Sequence, residues 1–101
     1  MVSITRDTSS GIENHCSGTV INKKFVLTAA HCFDNINTNS LGLLFGSDDI
    51  NDEDQFYRVE RDIRRTFIHP KYDERYHYFD LALIEVETEL EYSAGIQPIC
   101  L

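Results

Sequence analysis

His31 and Asp80 are the residues whose type and setting could do chemistry. His31 stands beside Cys32 in V-L-T-A-A-H-C, a small-residue bend that closes a β-rich run. An imidazole held rigidly after a strand suits a general base, because histidine titrates near neutral pH. Asp80 opens D-L-A-L-I, where a polar loop enters an apolar strand. A carboxylate placed there is partly desolvated and costly unless paired, and a histidine is a natural partner. A histidine oriented by an aspartate can activate a hydroxyl that is a weak nucleophile at neutral pH. The dipeptides His15-Cys16 and His31-Cys32 offer a second chemistry, zinc held by two imidazoles and two thiolates, although their spacing matches no common finger.

The elements that must position these residues read as β throughout. Val2 to Thr5 alternates, and Thr8 to Asn14 is polar, contains Gly11 and reads as a loop. Cys16 to Ile21 and Phe25 to Thr28 are apolar runs split by Asn22-Lys23-Lys24, which predicts a hairpin with a three-residue turn. Ala29 to Phe33 is compact enough for one helical turn. Asp34 to Ser40 reads as loop, and Leu41 to Phe45 as a strand closed by Gly46. Ser47 to Asp54 is an acidic loop. Phe56 to Glu60 predicts one strand, and a second runs through Ile63 to Ile68 before His69-Pro70 ends it. The aromatic residues from Phe67 to Phe79 read as core and loop packing. Leu81 to Val86 is a strong strand, and Ile96 to Leu101 an apolar tail. About six short strands at regular spacing predict a small antiparallel barrel or sandwich.

The bulk properties narrow the function classes. A chain of 101 residues is one domain at most, and 42% hydrophobic with 26% charged content is ordinary for a globular domain. The net charge of -8 argues against nucleic acid and against anionic membrane surfaces. No apolar stretch reaches the roughly 20 residues of a membrane span, and the first residues lack the pattern of a signal peptide. The cysteines are Cys16, Cys32 and Cys100, so an odd count leaves one without a partner inside the chain.

Seven pieces carry a resemblance: V-S-I from Val2, C-S-G-T-V-I from Cys16, V-L-T-A-A-H-C, Gly46, I-H-P-K-Y-D from Ile68, D-L-A-L-I from Asp80 and I-Q-P-I-C-L from Ile96. In that order and at that spacing, the chain resembles the N-terminal half of a chymotrypsin/trypsin-like serine protease domain. The resemblance covers nearly all of residues 1–101, and T-A-A-H-C is its most specific part. It implies an all-β fold, the first of the two antiparallel β-barrels of such a protease. It implies a secreted serine endopeptidase acting on protein or peptide substrates, without a cofactor or a metal, with His31 as general base and Asp80 as its orienter. It also implies a Cys16–Cys32 disulfide beside the histidine. Cys100 matches a cysteine that in many members is tied to a propiece or light chain, and His77 a position that lines a substrate subsite.

The resemblance also marks what these residues do not include. The family's nucleophile lies in G-D-S-G-G, and none of Ser3, Ser9, Ser10, Ser17, Ser40, Ser47 and Ser93 has that context. Met1 falls where an interior residue of the first strand is expected. The expectation is therefore a partial domain over residues 1–101, lacking the domain's start and second barrel and inactive by itself. The acidic loop overlies a region where some relatives bind calcium, but Ser47 stands where they carry an acidic ligand, which favours a solvated loop. The alternative function is a non-catalytic, protease-like interaction or regulatory module.

Overall fold

A computed structural model describes residues 2–46, 59–92, 96 and 98. Among these residues, six strands form a closed antiparallel barrel: β1 (Val2–Thr8), β2 (Gly11–Val20), β3 (Phe25–Thr28), β4 (Leu41–Phe45), β5 (Val59–Ile68) and β6 (Ala82–Val86). The order around the barrel is β1-β2-β3-β6-β5-β4, and β4 returns to β1 through Val2 opposite Phe45 and Ile4 opposite Leu43. Closure removes the exposed sheet edges that invite pairing with other chains. Two short 3₁₀ helices, Ala30–Phe33 and Thr38–Ser40, lie between β3 and β4. No helix among the described residues is long and apolar enough to cross a membrane.

Period-two patterning fills the interior. Val2 and Ile4, Leu41, Leu43 and Phe45, and Ala82, Ile84 and Val86 point inward from β1, β4 and β6. Val20, Val26, Leu90 and Ile96 complete the core. Each large apolar side chain buried there stabilises the fold by roughly 1.5–3 kcal/mol relative to exposure. Gly18 lets β2 and β3 approach closely: a Cβ there would lie 2.6 Å from Val26 Cγ1 and 3.0 Å from the Leu27 carbonyl oxygen. The expected hairpin is present. Its turn is fixed by Asn22, whose Oδ1 accepts from the backbone N–H groups of Lys24 and Phe25 at 2.9 and 3.1 Å.

The fold differs from the sequence reading in three places. Residues 8–14 are not a loop, because β1 and β2 form a hairpin in which Thr8 pairs with Gly11. Gly11 supplies the left-handed turn residue at φ 114°, and the Thr8 hydroxyl donates to the Gly11 carbonyl at 2.8 Å. Polar strands of this kind escape hydrophobic periodicity, since both faces are wet. Residues 59–68 form one strand, not the end of one and the whole of another, and a register shift between Ile63 and Arg65 masks its alternation. Thr38–Ser40 makes a helical turn inside the expected loop. Its cap is the Asn37 side chain, which accepts from the Asn39 N–H at 3.0 Å.

The aromatics of residues 67–79, expected as core and loop packing, include several that lie outside the core. Phe67, Tyr76, Tyr78 and Phe79 are 45–63% exposed. They stack in pairs, Tyr76 on Tyr78 and Phe79 on His69. Phe67 and Leu83 face each other across β5 and β6 and leave an apolar surface with Leu81. The acidic loop of residues 47–54 and Cys100 lie outside the described residues.

Candidate functional site

His31 is positioned by what surrounds it in the chain. β3 ends at Thr28, which is buried, and its hydroxyl donates to the Ser17 carbonyl of β2 at 2.8 Å. The backbone then turns into the 3₁₀ helix, closed by Cys32 N–H to the Ala29 carbonyl at 3.2 Å. Ala30 and Cys32 face inward and His31 faces out. Cys32 is disulfide-bonded to Cys16 of β2, with Cα atoms 6.2 Å apart. His15 adds a further tie, its Nε2–H donating to the Cys32 carbonyl at 2.7 Å. The disulfide leaves no thiolate at Cys16 or Cys32, so the zinc site of two histidines and two cysteines does not form. The sequence carries no signal for the His15 contact beyond the residue's polarity.

Asp80 approaches from the opposite side, at the end of the segment between β5 and β6. That segment folds on itself. Asp73 N–H donates to the Tyr78 carbonyl at 2.9 Å, and Asp73 Oδ1 accepts from the N–H groups of Arg75 and Tyr76 at 2.9 and 3.4 Å. His77 and Phe79 adopt left-handed backbone conformations, φ 56° and 54°. Such a conformation costs an ordinary residue on the order of 1 kcal/mol or more. His69 N–H bonds the Leu81 carbonyl at 3.0 Å, which pins both ends of the loop together. A contact that sequence reasoning missed joins the two sides: the Tyr72 hydroxyl donates to Asp34 Oδ2, just past the 3₁₀ helix, at 2.8 Å.

The two sides meet at His31 and Asp80. The His31 backbone N–H donates to Asp80 Oδ1 at 2.7 Å, and His31 Nδ1 lies 2.6 Å from Oδ2. One carboxylate thus holds both the main chain and the ring of the same residue. An ionised carboxylate only accepts, so Nδ1 carries the hydrogen and the neutral ring keeps its lone pair on Nε2. The His31 side chain is 47% exposed and that of Asp80 20%. Burial works to raise the Asp80 pKa. The hydrogen bonds from the His31 ring and backbone, with the positive charge His31 and His77 carry when protonated, outweigh it and hold the carboxyl below its ordinary value. The His77 ring stacks on His31, centroids 5.4 Å apart and planes within 12°.

The arrangement can accept a proton at an exposed imidazole nitrogen and stabilise the resulting charge. Among the described residues no serine hydroxyl bonds to His31, and a concavity of about 250 Å³ lined by β1, β4 and β5 includes neither His31 nor Asp80.

Comparison with known proteins gives one answer. The family model described as Trypsin matches residues 1–101. Serine proteinase stubble of Drosophila melanogaster is 32% identical over 99% of this chain and 13% of its own length. The CLIP domain-containing serine protease B4 of Anopheles gambiae is 38% identical over 86% of this chain and 27% of its own length. Coagulation factor XI of Bos taurus is 33% identical over 97% of this chain and 16% of its own length. The chain therefore spans a quarter or less of most of these relatives, and 27% of the one it covers furthest.

Proposed function

Because the chain belongs to the trypsin family of serine proteases, we propose that it supplies the general-base side of a serine endopeptidase site. The observation that supports this most is the pair of hydrogen bonds His31 donates to the Asp80 carboxylate, from Nδ1 at 2.6 Å and from the backbone N–H at 2.7 Å, with Nε2 on the open side. His31 Nε2 takes the proton of a serine hydroxyl as it attacks the peptide carbonyl. It returns that proton to the leaving amine, and water then hydrolyses the acyl-enzyme by the same exchange. Asp80 keeps the ring in the required tautomer and stabilises the imidazolium.

The serine and the donors for the oxyanion belong to a G-D-S-G-G segment, which these 101 residues do not contain. Phe67 on β5, Leu83 on β6 and Leu81 just before β6, all exposed, offer an apolar surface for a second barrel to cover. His77, stacked on His31, lines the subsite beside the base. The Cys16–Cys32 bond fits secretion, since disulfides persist in oxidising compartments. Cys100 is then available to a propiece or light chain, which non-reducing and reducing mass analysis of the secreted protein would reveal as a loss of mass on reduction.

The direct test is a fluorophosphonate probe, which reacts only with an activated serine. Residues 1–101 alone stay unlabelled, and labelling of that chain overturns the assignment of the nucleophile elsewhere. Protein that carries G-D-S-G-G is labelled, and His31→Ala abolishes the labelling. Labelling that survives His31→Ala overturns the role of His31.

A further inference from the structure

We propose that His31 and His77 form a reversible binding site for a borderline divalent cation, zinc above all, with Asp80 behind His31. Ligand atoms of His31, His77 and Asp80 lie within 4.8 Å of one another. Asp80 Oδ2 is engaged with His31 Nδ1 at 2.6 Å, which leaves Nε2 to face outward. A metal-binding imidazole commonly has its other nitrogen on a carboxylate in this way, because the carboxylate orients the ring and raises its basicity.

A zinc ion holds nitrogen donors at about 2.1 Å in a tetrahedron, so its donors stand about 3.4 Å apart. Reaching that spacing takes a closure of the two rings and a turn of the His77 ring out of its stack, so that its in-plane lone pair points at the ion. The His77 side chain makes ring contacts with His31 and Tyr72 but no hydrogen bond among the described residues, so it can swing.

The placement of His77 is built into its loop. Its backbone sits at φ 56°, a conformation unfavourable for histidine, and the Asp73 hydrogen bonds on either side of it hold the turn closed. Borderline metals suit imidazole, whereas calcium and magnesium select oxygen and are not bound here. With two protein donors, two positions remain for water, so binding is reversible rather than structural. The other group of potential ligands that includes His31, with Cys16 and Cys32, has its sulfurs in the disulfide and contributes no thiolate. One consequence rests on the proposed role of His31: a cation on Nε2 occupies the lone pair that takes the serine proton, so zinc inhibits and a chelator restores activity.

The test is a calorimetric titration of zinc into the full 101-residue chain, with X-ray absorption on the loaded protein. One zinc per chain and two imidazole scatterers are expected. His77→Ala and His31→Ala each weaken binding by at least about tenfold, the scale on which even outer contacts act. His69→Ala and added magnesium leave it unchanged. Binding that survives His77→Ala undiminished, a zinc with one imidazole or none, or no measurable binding overturns the site. His77 lies in an exposed loop, and His77→Gln, checked by circular dichroism, gives the same readout if the alanine variant unfolds. Zinc binding requires no serine. Zinc binding with no labelling of protein that carries G-D-S-G-G removes the protease reading and leaves the site, and labelling of that protein without zinc binding does the reverse.

Discussion

His31 rides on a segment held by covalent and apolar contacts, whereas Asp80 and His77 ride on a loop held almost entirely by polar ones. On the first side are the Cys16–Cys32 bond, buried Thr28 and Ala30, and the close approach of β2 and β3 at Gly18. On the second are the Asp73 turn, the His69–Leu81 bond and exposed aromatic rings. His31 thus stands on a rigid wall, and Asp80 on a wall whose shape depends on protonation and on a few hydrogen bonds. Loops placed on a scaffold can change in sequence while the scaffold keeps the reacting atom in place. The side with the larger freedom is the one that carries His77, the residue proposed to meet substrate and cation.

The largest expected effect falls where the two walls join. If His31 and Asp80 act as proposed, Asp80→Asn in protein that carries G-D-S-G-G lowers kcat for peptide turnover by about 10⁴-fold, the magnitude of the corresponding change in a member of this family. A loss below tenfold would mean that the carboxylate only braces the backbone.

Removing the covalent tie is next. Cys16→Ser with Cys32→Ser costs about 3 kcal/mol of stability by loop entropy, read from denaturant midpoints at fixed m-value. An equal cost from a loop substitution would erase the contrast between the walls. Tyr72→Phe, which cuts the hydroxyl link between them, costs less than losing the disulfide, read the same way.

The smallest effects are in pH. The Asp80 carboxyl is held below its ordinary value, so its stabilisation is complete above the unfolded value near 3.8. It is lost as pH falls from there through the folded value. Asp80→Asn flattens that acid limb of the melting temperature. Tyr72 is shifted the other way. Burial first, then its bond to Asp34 and the charges of Asp34, Asp80 and Glu74 raise its pKa above the ordinary 10.0. The unfolded chain therefore ionises first, and stability declines as pH rises beyond 10, a slope that Tyr72→Phe removes.

How much was legible in the residues follows the same division. The apolar wall announced itself: V-L-T at β3, L-G-L-L-F at β4 and A-L-I-E-V at β6 alternate or run apolar, and all three are strands. The disulfide pairing of Cys16 with Cys32 and the pairing of His31 with Asp80 were anticipated through family resemblance, because neither follows from spacing alone. The polar elements on both sides of the site were not legible. The β1–β2 hairpin of residues 8–14 has no apolar face, and the bulge in β5 breaks its period. The Tyr72–Asp34 bond links residues far apart in sequence through groups that composition treats as ordinary surface. Where hydrogen bonds rather than burial decide a conformation, hydrophobic pattern carries no record of it.

The disulfide also has a mechanical reading. Pulled by its two ends, the protein cannot release the residues between Cys16 and Cys32, a sequence separation of 16. At about 3.6 Å per extended residue, about 50 Å of contour length stays locked until the bond is reduced. His31 lies inside that locked segment and Asp80 outside it. Stretching force would therefore part the pair by drawing the aspartate away, while the histidine stays folded within its loop.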